Sequence, residues 1–178
     1  KRILEHHPEL AAELRELTDQ ESKEGAAEKE LREAVHAGKI ALRELERAEG
    51  LLRSARNWGV YDMLGGGVIS TAIKHSRIDE ARSALRSAEA ALKRFRTELK
   101  DVARDIPADV KPDLFLTVGD YLFDGLIFDW IVQGKIGDGL DKTRRQMSRV
   151  RHAVIDLERA LGRTKARLDD LRRQRDAL

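Results

Sequence analysis

The chain has 178 residues, of which 37% are charged and only 4% aromatic, and its formal net charge is +2 at pH 7. This composition is typical of long helices or coiled coils and argues against a thick aromatic core, while the length allows one domain with or without an extension. The absence of cysteine excludes a disulfide framework, a thiolate nucleophile and a cysteine-ligated metal, and it is consistent with a reducing cytoplasm.

Residues 1–56 predict one long helix, the first arm of a stalk. Two rows of residues recur every seven positions, which is the spacing of a coiled-coil seam. The rows are Leu31, Gly38, Leu45 and Leu52, and Ala34, Ala41, Ala48 and Ala55. An alanine row lets a neighbouring backbone approach closely, so it favours a tight antiparallel pair. Pro8 suits a first helical turn and predicts a start near His7. The polar stretch 18–27 is expected to stay helical, with Gly25 as its weak point.

The segment WGVYDMLGGG, residues 58–67, places three glycines beside a tryptophan. Inside a helix these glycines would cost about 2–3 kcal/mol relative to alanine. No strand precedes them and no Lys-Ser or Lys-Thr pair follows, which disfavours a phosphate loop. An anion held by backbone N–H groups is left open, but a turn or a close helix crossing is favoured. The candidate structural residues here are Trp58, Asp62, Gly65, Gly66 and Gly67.

A second helix is predicted from about residue 78 to the prolines at positions 107 and 112, which end it. Its two heptad rows are Ile78, Leu85, Leu92, Leu99 and Ile106, and Ala81, Ala88, Phe95 and Val102. We assign this helix to a compact head, residues 57–138, at the tip of the stalk.

The most apolar segment, residues 114–132, has nearly the length of a membrane span but contains Asp120, Asp124 and Asp129. Three carboxylates in a bilayer are prohibitively costly, so we expect a buried helix of the head. Asp124, Asp129 and Trp130 are its candidate site residues. A divalent cation or acid–base chemistry is conceivable for carboxylates four apart on one helix face, but ion pairs within the head are favoured. We expect no metal, no cofactor and no enzymatic activity.

Two patterns in the predicted head resemble a group of uncharacterised bacterial coiled-coil proteins. The first is W-x-x-x-D-x-L-G-G-G followed by K-H-S-x-I-D-E-A, and the second is F-D-G-x-x-x-D-W. The resemblance covers roughly residues 57–139 and does not extend to the stalk. It implies that these residues form one recurring module, and it implies no activity, because that group has no established function.

Residues 139–178 predict the second arm of the stalk. The heptad rows are Leu140, Met147, Val154, Leu161 and Leu168, and Val150, Leu157, Thr164, Leu171 and Leu178. This arm carries 12 Lys/Arg and 6 Asp/Glu, a net charge of +6, whereas residues 1–56 carry 11 and 13, a net charge of −2. Because flanking charges select partner and orientation in coiled coils, we expect the two arms to pair antiparallel.

The basic density of the second arm also offers an alternative, contact with nucleic-acid phosphates. The candidate contacts are Arg144, Arg145, Arg149, Arg151, Arg172 and Arg173. Aromatic residues that would stack on exposed bases are not interleaved with them. The acidic first arm would neutralise much of their charge, so a solvated or paired face is favoured.

The sequence therefore predicts an all-α protein, a long antiparallel coiled-coil stalk with a small helical-bundle head. The predicted function is that of a non-enzymatic, cytoplasmic scaffold or adaptor that binds a protein partner or itself. A two-helix stalk with an alanine row buries little area, so a homodimer is expected. Association with nucleic acid is the alternative, and no membrane span is expected.

Overall fold

The computed structural model describes residues 8–62, 68–106 and 136–178, which form three α-helices. Helix α1 covers Pro8–Asp62, α2 covers Val68–Asp105 and α3 covers Ile136–Asp176. Outside these helices only Ile106 and the last two residues are described, so the described part of the chain is all-helical, as the sequence predicts. The predicted heptad rows therefore lie on three helices of 55, 38 and 41 residues.

The ends of the helices agree with the local sequence signals. Helix α1 begins at Pro8, whose fixed φ and missing N–H suit a first turn. It continues without a break through the polar stretch 18–27, as expected. Helix α2 ends at Asp105, two residues before Pro107, because a proline disfavours helical backbone at the residue before it. Helices α1 and α2 each extend further towards the glycines than predicted, to Asp62 and from Val68.

Helix α1 is the central element, because it packs against both α2 and α3. Gly38 marks the point where all three meet: a Cβ built there would lie 2.5 Å from Val154 Cγ2 and 2.9 Å from Phe95 Cε2. Phe95 is the largest side chain that is fully buried in the described core. The missing side chain at Gly38 leaves the space that Phe95 and Val154 occupy.

Small side chains form part of the buried faces of α1 and α2. Alanines of both helices are at most 3% exposed: Ala27, Ala34, Ala37, Ala41, Ala48, Ala55, Ala81, Ala84 and Ala88. Gly38 lies 24 positions before the end of α1, and Phe95 lies 27 positions after the start of α2. Because these contacting residues are almost equally far from the five-residue link, α2 folds back along α1.

The interface of α1 with α3 follows the predicted heptad rows of α3. Leu140, Val150, Leu157 and Leu168 are buried, whereas Leu178 is 50% exposed. Ala153 and Ala160 are also buried and add a third row that the sequence pattern did not single out. The buried face of α3 is therefore wider than a strict two-row seam, as in a helix that packs in a bundle.

The structure also differs from the predicted division into a two-helix stalk and a head. Residues 78–106, which the sequence analysis places in the head, contribute Leu85, Phe95 and Val102 to one continuous core with α1 and α3. A third helix therefore lies along the first arm. The remainder of the predicted head, residues 107–135, is outside the described residues, so the existence of a separate head stays a prediction.

Candidate functional site

Arg144 and Arg151, both among the candidate arginines, bind α1. Arg144 donates from Nε and Nη2 to Glu49 Oε1, at 3.0 and 2.8 Å. Arg151 forms a looser ion pair with Glu46, with 3.5 Å between Nη2 and Oε1. The Glu49 side chain is only 14% exposed and also lies 3.9 Å from Arg53. These arginines therefore act first as links between helices, in line with the neutralisation considered from the sequence.

The other four candidate arginines lie on the outer surface of α3. Arg172 and Arg173 pair with Asp169 and Asp170, three positions earlier on the same helix, at 3.6 and 3.2 Å. Exposed pairs of this kind contribute little to stability. Arg145 and Arg149 are exposed as well. The candidate set is thus divided between an interhelical seam and an open face, and the structure does not gather it into one site.

The ion pairs between α1 and α3 extend far beyond the predicted basic cluster. Lys39 pairs with Glu158, and Glu24 pairs with Arg167 at 3.4 Å. The last of them joins Glu21 Oε2 to Arg175 Nη1 at 2.8 Å. Along α3, from Arg144 to Arg175, the residue number of the paired glutamate on α1 falls from 49 to 21.

Arg175 has a pKa that is shifted in the folded chain. Its hydrogen bond to Asp176 and the negative charge of Glu21 raise its pKa above the ordinary value of arginine. A cation whose pKa is raised on folding stabilises the folded chain at every pH below its pKa in the unfolded chain. That contribution is lost as the pH rises through its pKa in the folded chain. Since arginine titrates above about pH 12, Arg175 stays charged under all ordinary conditions.

The core contains two polar side chains, one of which, Thr164, the sequence analysis placed in a heptad row of the second arm. Thr143 and Thr164 are both 0% exposed, and neither Oγ1 has a hydrogen-bond partner. An unsatisfied buried hydroxyl costs about 1–3 kcal/mol. Both lie in the same heptad row of α3, 21 positions apart. The two threonines have the seven-residue spacing of buried heptad positions, but they carry hydroxyl groups instead of apolar side chains. Both features are visible in the sequence.

The candidate residues of the predicted head are placed only in part. Trp58 and Asp62 belong to the last turns of α1, and nothing further is described for their side chains. The other candidates, Gly65, Gly66, Gly67, Asp124, Asp129 and Trp130, lie outside the described residues. The predictions that the glycines serve packing and that the aspartates form ion pairs are therefore not tested.

The described ranges, residues 8–62, 68–106 and 136–178, hold no group of three or more His, Asp or Glu residues arranged to bind a metal ion. A groove on α1, lined by residues from Leu14 to Lys23, is open to solvent. None of the three described helices has the length and apolar character required to cross a bilayer.

Comparisons with known proteins add no family. No family model matches this sequence, and no curated protein or solved structure is significantly similar to it. The resemblance to bacterial coiled-coil proteins therefore stays a prediction. The function has to be argued from the helices and their surfaces.

Proposed function

We propose that this chain is a non-enzymatic scaffold or adaptor whose antiparallel coiled-coil stalk holds protein-binding surfaces apart. The observation that carries the proposal is the length of the α1–α3 contact. Interhelical ion pairs occur from Glu21 with Arg175 to Glu49 with Arg144. These ends are 28 positions apart on α1, about 42 Å along a helix. A stiff rod of this kind suits a spacer.

The use made of the charged side chains supports the same proposal. Glu21, Glu24 and Glu49, the partly buried carboxylates of the seam, each bind an arginine of α3. Each of these ion pairs links α1 to α3. In the full proposal, residues 107–135 supply a head, the chain forms a homodimer, and the protein works in the cytoplasm.

The experiment that tests the proposal is affinity capture of the full chain from an extract of its native host, with a tag-only control. Co-purifying proteins are identified by mass spectrometry, and the mass of the purified chain is measured by light scattering. We expect a protein retained in stoichiometric amount or a mass that is a multiple of the monomer. A monomer that retains nucleic acid or a metal, but no protein, would contradict the proposal.

Nucleic-acid binding remains the second candidate, and one observation favours it. Residues 142–155 of α3 contain five Lys/Arg and no Asp/Glu. If this segment contacts phosphates, duplex DNA should bind below micromolar concentration, and the affinity should fall steeply with salt. Replacing Arg145 and Arg149 by alanine should then weaken binding more than replacing Arg172 and Arg173, because the latter lie in a segment that also carries Asp169 and Asp170. Weak binding near physiological salt would rule this candidate out.

A further inference from the structure

Helices α2 and α3 leave a groove between them. Both pack along α1, whereas within the described ranges they make no comparable contact with each other. At the level of Gly38 the floor of this groove is apolar, because a Cβ there would meet both Phe95 of α2 and Val154 of α3. The groove therefore has a floor against which a further apolar element can pack.

The flank of α3 that faces this groove carries small side chains. On the other flank, Arg151 and Glu158 pair with α1, and both are about half exposed to solvent. Ala153 and Ala160 each lie two positions further along, about 200° around the helix, and are fully buried. Because the ion-paired flank is open to solvent, the flank with the two alanines is the one that faces inwards, towards α2.

Helix α2 ends far from the level at which α3 begins. Phe95 lies level with Gly38 of α1. Ile106 follows Phe95 by eleven positions, and α2 folds back along α1, so Ile106 falls opposite about residue 27. This level is well below the middle of α1.

Helix α3 begins near the other end of α1. Arg144 is bound to Glu49, and Ile136 precedes Arg144 by eight positions. In the proposed antiparallel stalk, Ile136 therefore falls opposite about residue 57 of α1. The levels of residues 27 and 57 are 30 positions apart, about 45 Å along α1. The chain between α2 and α3 has to cover this distance.

That connection, residues 107–135, lies outside the described residues, but its length limits the path it can take. It includes the most apolar segment of the sequence, residues 114–132. If this segment were packed at the tip where α3 begins, the eight steps from Ile106 to Leu114 would have to cover about 45 Å. An extended chain of eight residues reaches at most about 29 Å. At the opposite tip, the four steps from Val132 to Ile136 would reach at most about 14 Å.

The apolar segment itself must therefore cover part of the distance. As a helix its 19 residues are about 28 Å long, and the residues on either side supply the remainder without being fully stretched. A path along the rod also gives the apolar side chains a surface to be buried against.

We propose that residues 114–132 dock as a helix in the groove between α2 and α3, running in the same direction as α1. The four helices then form one bundle in which this segment is the crossover connection between two parallel helices. The inference rests on the antiparallel arrangement in the proposed function, and it places the head of that proposal on the flank of the rod and not at its tip.

The test measures distances between pairs of spin labels in the full chain, which has no cysteine of its own. Gly125→Cys places one label near the middle of the apolar segment. The second label is at Arg56→Cys on α1 or at Lys100→Cys on α2, both exposed positions. Arg56 with Lys100 is the reference pair, because Lys100 lies opposite about residue 33 of α1, some 23 positions or about 35 Å from Arg56. Both distances from position 125 should be shorter than the reference distance.

Two further pairs test the direction of the segment and the groove that it occupies. Thr117→Cys should lie closer to Lys100 than position 125 does, because the segment runs from the end of α2 to the start of α3. Arg149 lies four positions before Ala153 and so on the groove flank of α3. A label there should be closer to position 125 than a label at Arg47, on the exposed face of α1 at the same level.

Labelled chain is diluted with an excess of unlabelled chain so that only distances within a chain are measured, and circular dichroism should show every variant folded. A distance from position 125 to Lys100 or to Arg56 that exceeds the reference would overturn the inference, because the segment then lies at a tip. A distribution without a maximum, or a label at Arg47 closer than the one at Arg149, overturns it too.

A control pair separates failure of this inference from failure of the proposed function. Arg56→Cys and Asp138→Cys should give a short distance, because Asp138 lies opposite about residue 55 of α1 in the antiparallel stalk. A distance as long as the reference would contradict the antiparallel stalk itself. If this control distance is short and the distances from position 125 fail, the inference is wrong while the proposed scaffold stands.

Discussion

Gly38 is the residue whose absent side chain most directly shapes the bundle. A Cβ at this position would meet Val154 Cγ2 at 2.5 Å and the Phe95 ring at 2.9 Å. Val154 has a stiff χ1 in a helix, and Phe95 is fully enclosed, so neither side chain can move away cheaply. Helix propensity alone would favour alanine over glycine, so at Gly38 packing opposes propensity.

We expect Gly38→Ala to lower the free energy of unfolding by about 1–2 kcal/mol, because overpacking outweighs the gain in helix propensity. Gly50→Ala, on the same helix with nothing within 4 Å of its Cβ, should raise it by about 0.5–1 kcal/mol. Urea unfolding of both variants beside the parent measures the difference. Equal gains for the two variants would show that Gly38 is not a close-packed position.

The buried threonines of α3 give the second prediction at this scale. Thr143→Val and Thr164→Val should each raise the free energy of unfolding by about 1 kcal/mol, because each removes an unsatisfied hydroxyl from the core. Thr97→Val is the control, since Thr97 is exposed and its hydroxyl donates to the Lys93 carbonyl at 3.3 Å. It should change stability by less than about 0.5 kcal/mol. Destabilisation by both core changes would mean that the hydroxyls are satisfied in solution.

The helices themselves were largely predictable from the sequence, and the reasons are local. Heptad rows such as Leu85, Leu92 and Leu99 report burial directly, and Pro8 and Pro107 report helix ends through backbone sterics. The role of Gly38 was not predictable, because a glycine at a heptad position indicates only a poorly packed contact when the sequence is considered alone. Only the meeting of Phe95 and Val154, which lie 59 positions apart in the chain, reveals its purpose.

The interhelical ion pairs differ in expected strength from those within one helix. Arg144 with Glu49 is bidentate from the arginine, and Glu49 is largely shielded from solvent. A double-mutant cycle with Arg144→Gln and Glu49→Gln should give a coupling of about 0.5–1 kcal/mol. The exposed pair of Arg173 with Asp170 should give no more than about 0.3 kcal/mol. Equal couplings would mean that the interhelical pair is as screened as a surface pair.

In the whole molecule, the distribution of charge predicted which helices pack together, but it did not predict a function. The excess of acid in residues 1–56 and of base in residues 139–178 correctly indicated that α1 and α3 interact. The charge distribution did not reveal that α2 also lies along α1. The heptad rows of residues 78–106 are compatible both with a helix of a separate head and with a helix packed on the stalk. The ion pairs of the candidate arginines with Glu49, Glu46, Asp169 and Asp170 were not predictable individually, because they depend on the register of the helices and not on composition.

The central claim, that α1 and α3 pair in opposite directions within a rod, is tested most directly by lysine cross-linking. The purified chain is mixed in equal parts with a ¹⁵N-labelled copy, so that mass spectrometry separates links within a chain from links between chains. Since Glu24 pairs with Arg167 and Lys39 pairs with Glu158, Lys165 should link within the chain to Lys29 and Lys23. Intrachain links in which residue numbers of α1 and α3 rise together would contradict the account.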